Sequence, residues 1–112
     1  MLSAKQDDAL RELAGRYVGW LEEHPEANLA DVCFTAGAGR SHLEQRAALA
    51  AHSTDQLRQQ LTHLQHGRPT AGLLTGRAAG KPRTAWLFTG QGSQHAGMGR
   101  ELYQTQPVFR EV

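Results

Sequence analysis

Cysteine is almost absent from this sequence. Cys33 stands alone, which excludes an internal disulfide and a cysteine-based zinc cluster. Its place in an apolar helical pattern reads as plain packing. Neither sign of charge predominates: twelve Lys and Arg against eleven Asp and Glu leave a net charge of +1, and both signs are scattered. Such a balance gives no footing for nucleic acid or an anionic membrane. No apolar run approaches the roughly 18 residues of a membrane span. Met1-Leu2-Ser3-Ala4-Lys5-Gln6-Asp7-Asp8 lacks the basic start and apolar middle of a signal peptide, so a soluble cytoplasmic chain is the expectation. No internal repeat is visible. With 112 residues there is room for one small domain, or for one domain and a piece of another.

What is present is helical periodicity. Ser3 with Gln6 fits a capping box, and Asp7 and Asp8 add negative charge where first-turn amides are unpaired. Leu10, Leu13, Ala14, Tyr17, Val18 and Leu21 then form one apolar face of a helix that ends near His24, before Pro25. Trp20 lies beside that stripe, and ordinary core packing is the reading for each aromatic. Asn28 caps a second helix reaching Ala36, stopped by Gly37 and Gly39. Ser53 and Gln56 repeat the capping signal before a stripe of Leu57, Leu61 and Leu64, ending at Gly67. From Gly67 to Arg83 the composition turns to that of a linker, interrupted by Leu73-Leu74-Thr75, a candidate short strand. Glu44 to Ala51 is alanine-rich, and propensity alone would make it helical.

The C-terminal stretch reads differently. Thr84 to Phe88 is a nearly unbroken apolar run, as suits a strand covered on both faces in a parallel sheet. Exposed, its unpaired amides would invite pairing, so residues 84–112 are expected to be covered by another chain, by further sequence of the same protein or by a swapped copy. Gly90 and Gly92 then bracket Gln91. Glycine permits positive φ and close approach, so amides around Gln91 and Ser93 could point at an oxygen anion; a plain tight turn is the other reading. A brief helix is expected over Met98 to Tyr103, and Pro107 suits the first turn of another.

Leu87-Phe88-Thr89-Gly90-Gln91-Gly92-Ser93-Gln94 with Gly97-Met98-Gly99 resembles the opening of the malonyl-type acyltransferase domain of modular type I polyketide synthases, and fatty acid synthases carry a similar segment. Residues 1–83 resemble the linker that joins ketosynthase to acyltransferase. The implied fold is α+β: a small three-stranded antiparallel sheet with helices packed on it (1–83), followed by the first strand and helix of a truncated α/β acyltransferase (84–112). The resemblance makes residues 45–51 a strand against their helical propensity, and Met1 to Ala4 part of a first strand. It also implies that Arg40 and His42, within Gly39-Arg40-Ser41-His42, make interdomain contacts.

In the resembling acyltransferases a serine in a G-x-S-x-G elbow attacks an acyl-coenzyme A thioester, a histidine activates it, and a phosphopantetheinyl acyl carrier protein takes the acyl group. This chain contains no such elbow: Ser93 has Gln91 and His95 where glycines should stand. The expectation is a catalytically incomplete segment whose partners are the ketosynthase, the remaining acyltransferase and the carrier protein, with no cofactor of its own. The resemblance places Gln91 where a backbone N–H is one oxyanion-hole donor, and Gly90, Gly92, Ser93 and Gln94 form the substrate loop. A non-catalytic adaptor that spaces catalytic domains and helps dock carrier protein is the alternative. Gly90 to His95 opens like a dinucleotide fingerprint, but His95 replaces the third glycine and no βαβ unit with an acidic residue follows, so nucleotide binding is not expected. Metal binding is not expected, since His63 and His66 share a helical face without a third ligand and read as solvated surface. Extender-unit specificity lies in parts of the family that fall downstream.

Overall fold

The computed structural model describes residues 1–80, 84–88 and 90–111. The chain falls into two units, Met1–Pro82 and Arg83–Val112. The end of the linker-like stretch, at Lys81-Pro82-Arg83, lies outside the described residues, as do Thr89 and Val112. In the first unit, β1 (Leu2–Ala4), α1 (Asp7–Glu23), α2 (Leu29–Ala38), β2 (Gln45–Leu49), α3 (Thr54–Gln65) and β3 (Leu73–Arg77) follow in order. In the second, α4 (Arg100–Thr105) and α5 (Pro107–Glu111) follow the glycine loop. Among the described residues no helix is long and apolar enough to cross a membrane.

The three strands form one antiparallel sheet in the order β1-β2-β3. Leu2 pairs with Ala47, and Ala47 with Thr75. This is the three-stranded α+β arrangement that the resemblance implied. It decides the alanine-rich stretch in favour of strand, because Ala47 is fully buried in the middle strand, where ladder bonds on both edges outweigh a weak helix preference. β3 continues past Thr75 because Glu44 holds it: the Arg77 guanidinium donates to Glu44 Oε2 at 2.8 Å, and the Ala78 N–H donates to the Glu44 carbonyl at 2.7 Å.

The helical stripe does what its spacing demands. Leu10, Ala14 and Leu21 of α1 meet Leu57, Leu61 and Leu64 of α3, and Val32 and Ala36 of α2 join the same core. Both α1 and α3 pack on the sheet. Leu10 and Leu61 are each only 1% exposed, and burying a leucine completely contributes about 1.5–3 kcal/mol. Ser53 Oγ accepts from the Gln56 N–H at 3.1 Å, while Gln56 Oε1 accepts from the His52 N–H at 2.8 Å. Both sides of the α3 entry are thereby satisfied.

Several expectations are corrected. Ser3 is not a cap: it lies in β1, and the N-cap of α1 is Gln6, with no side-chain bond. Cys33 is exposed rather than packed, because the burial stripe of α2 runs through Val32 and Ala36. Trp20, Phe34, Tyr103 and Phe109 are also exposed among the aromatics. His63 is half-buried with Nδ1 covered, whereas His66 is exposed as expected. Thr84 to Phe88 forms no strand here. A ladder needs a neighbour, and among the described residues none pairs with this run.

Gln60 is the one polar residue in the core among those described, at 3% exposure. Its Nε2 donates to the Ala50 carbonyl at 2.8 Å and to the Ala71 carbonyl at 3.0 Å, stitching the end of β2 to the approach to β3. Gly72 sits beside this stitch at φ +77, and a Cβ there would lie 2.5 Å from Gln60 Nε2 and 2.7 Å from the Ala50 oxygen. Left-handed backbone costs an L residue roughly 1–2 kcal/mol, and the clash adds to it. Gly72→Ala should therefore destabilise the first unit by about 2 kcal/mol, measured as a lower urea midpoint at unchanged slope.

Candidate functional site

The loop Gly90 to Gln94 is built by its own short-range bonds. Ser93 Oγ donates to the Gly90 carbonyl at 3.0 Å, and the Gly92 N–H donates to Gln94 Oε1 at 2.9 Å. Gly92 has φ +101, a backbone region that side chains disfavour. Glycine is required there by conformation and not by crowding, since a Cβ at Gly90 or Gly92 would meet nothing within 4 Å. Among the described residues the N–H groups of Gln91 and Ser93 have no hydrogen-bond partner, and the whole loop is exposed. The Ser93 hydroxyl is committed to a carbonyl, as suits a turn-forming serine.

Behind the loop, the Met98 N–H bonds to the His95 carbonyl at 3.1 Å and the Tyr103 N–H to the Gly99 carbonyl at 2.8 Å, winding the chain into α4. Arg110 of α5 closes the far end. Its Nε donates to the Tyr103 carbonyl at 3.0 Å and its Nη2 to the Gln104 carbonyl at 2.8 Å, covering carbonyls that a helix end leaves unpaired. Before the loop, Trp86, Leu87 and Phe88 are 80%, 90% and 88% exposed. The covering expected for this segment is not supplied by the described residues of this chain.

Arg40 and His42 lie in the first unit. The Arg40 guanidinium stands 6.0 Å from the centroid of the Tyr17 ring, and His42 is exposed without a partner among the described residues. Their segment is held by a residue that sequence reasoning assigned elsewhere. Ser3 Oγ donates to the Ser41 carbonyl at 3.1 Å and accepts from the Leu43 N–H at 2.9 Å. Such a long-range bond leaves no local spacing to read. Among the described residues, no group of three or more His, Cys, Asp or Glu could hold a metal ion.

Residues 1–61 match the family model described as CurL-like, PKS C-terminal, more than half of the 112 residues. The chain belongs to this polyketide synthase family. Residues 85–112 of the synthase segment match the acyl transferase domain model. It is 41% identical over 116 residues to 5-methyl-1-naphthoate synthase of Streptomyces sahachiroi, covering 99% of this chain and 6% of that protein. It is also 41% identical over 112 residues to the phenolphthiocerol synthesis polyketide synthase type I of Mycobacterium marinum, covering 100% and 5%. The acyl transferase domain of ZmaA superimposes with a TM-score of 0.86 at 34% identity, over 98% of this chain and 24% of that one. The acyltransferase domain from module 8 of the salinomycin polyketide synthase gives 0.81 at 35% identity, over 98% and 26%. The synthase segment thus spans about a twentieth of these curated relatives and about a quarter of the solved acyltransferase domains.

Proposed function

We propose that residues 1–83 are the linker between ketosynthase and acyltransferase, and that residues 84–112 open an acyltransferase which moves malonyl-type extender units from coenzyme A to acyl carrier protein. The observation that carries this is the amide of Gln91, in an exposed loop and without a partner among the described residues, set beside a glycine at φ +101 in a stretch that matches the acyl transferase model. A thioester carbonyl attacked by a nucleophile becomes an oxyanion, and preorganised N–H donors stabilise it. Gln91 supplies one donor, with Gly90, Gly92, Ser93 and Gln94 shaping the substrate loop. The attacking group and the second donor come from other residues of the parent synthase, since a G-x-S-x-G elbow does not occur in these 112 residues. The chain requires no cofactor beyond the coenzyme A substrate and the phosphopantetheine of the carrier.

Incubating the 112-residue chain with malonyl-coenzyme A should leave its intact mass unchanged, because Ser93 lacks both an elbow and an activating base. Stable acylation of Ser93 would overturn the assignment of the nucleophile to another part of the synthase.

The adaptor reading is favoured by one observation. The Arg40 to His42 segment is pinned to β1 through Ser3 while both named side chains stay exposed. In the parent these two residues tie the linker to the neighbouring domains, a role compatible with spacing and with carrier docking.

A further inference from the structure

Between α1 and α2 lies an open groove of about 560 Å³, large enough for a cluster of side chains from another molecule. Its walls include Tyr17 and Trp20 from α1 and Val32 from α2, and its charged groups are Arg16, Asp31 and Arg40. The aromatic walls are held in place before anything binds. The Trp20 ring stacks on His24 with centroids 4.4 Å apart, His24 Nδ1 lies 2.8 Å from the Trp20 carbonyl oxygen, and Arg40 covers the Tyr17 ring.

The charges are unequal. Arg16 and Arg40 form no ion pair among the described residues, whereas Asp31 sits in the first turn of α2, where the helix dipole offsets its charge. The groove therefore presents two uncompensated guanidiniums beside fixed aromatic walls, a composition typical of the energetic centres of protein interfaces. Guanidinium groups select carboxylates by forked hydrogen bonding.

We propose that this groove receives an acidic polypeptide segment carrying an aromatic anchor, with the anchor ring between Trp20 and Val32 and the flanking carboxylates on Arg16 and Arg40. This deepens the interdomain role proposed for Arg40, and it is independent of whether Gln91 serves an oxyanion. Rigid walls lower the ordering cost of such binding.

The test is titration of the isotope-labelled 112-residue chain with the peptide Glu-Glu-Phe-Glu-Glu and with its lysine counterpart, followed by nuclear magnetic resonance. The acidic peptide should shift the Trp20 indole and Thr35 amide signals saturably, and the lysine peptide should not. The Arg16→Glu and Arg40→Glu double variant should weaken binding at least tenfold. Both side chains are exposed, and unmoved Leu61 methyl signals confirm that the fold is kept; the milder Arg16→Gln and Arg40→Gln pair serves if they move. No saturable shift, equal response to both peptides, or undiminished binding by the variants would overturn the proposal. So would a concentration-dependent dimer seated on the same signals. Acylation assays do not enter these outcomes, so failure here leaves the Gln91 reading intact.

Discussion

Leu61→Ala should lower the thermal midpoint of the first unit by roughly 10–25 °C, for a loss of about 3 kcal/mol. Leu61 is 1% exposed and shares the core with Leu10, Ala14 and Leu57. Its removal forfeits apolar burial and leaves a cavity between α1 and α3, which can collapse only partly. Small units have total stabilities of about 0.05–0.15 kcal/mol per residue, so this single change removes a large fraction. Thermal unfolding followed by circular dichroism checks it. A shift under about 3 °C would mean that the α1 and α3 contact carries far less than its burial implies.

Gln91→Pro, made in a polyketide synthase protein that extends through the whole acyltransferase, should reduce kcat for malonyl transfer by about 10²–10³-fold with KM little changed. Proline removes the amide hydrogen but also locks φ at about −65°, so an unchanged KM is the sign that the loop has kept its shape. A donor needed only once the oxyanion forms acts on the transition state and not on substrate binding. Gln91→Ala keeps that hydrogen and should retain activity within a few-fold. Transfer to carrier protein, measured for both variants, separates the two contributions. Equal losses in both would place the importance of this position in the glutamine side chain.

The legible parts of this chain are those encoded by near neighbours. α3 could be read because its stripe of Leu57, Leu61 and Leu64 and its Ser53 cap all lie within a few residues of one another. The α2 cap at Asn28, which accepts from Ala30 and Asp31, was legible for the same reason. β2 was legible only through the resemblance, which made residues 45–51 a strand, because Ala47 to Leu49 carry helical propensity and become a strand only when Leu2 and Thr75 arrive on either side. The misreading of Ser3 has the same origin: its spacing to Gln6 is correct for a cap, but its actual partners, Ser41 and Leu43, are distant in sequence. Cys33 and Phe34 were assigned to packing from their apolar character, yet α2 lies at the margin of the core and turns them outward. Thr84 to Phe88 carries the apolar composition of a covered strand without a local means of forming one.

At the candidate site the legible feature was the alternation of Gly90, Gln91, Gly92 and Ser93. What spacing could not reveal is how the donors divide. The Gly92 amide is taken by the Gln94 side chain, the Ser93 hydroxyl by the Gly90 carbonyl, and the Gln91 amide has no partner among the described residues. The groove beside Trp20 was equally hidden, since its two guanidiniums come from positions far apart in the chain, one on α1 and one after α2.

The order of the chain also bears on its birth at the ribosome. Among the described residues the buried core side chains lie between Leu2 and Leu64, and β3 ends at Arg77. Chains generally acquire structure as units, N-terminal portion first, so this unit can close while the water-averse run beginning at Thr84 is still inside or only leaving the exit tunnel. Early closure keeps the leucines of α1 and α3 from capturing Trp86 to Phe88.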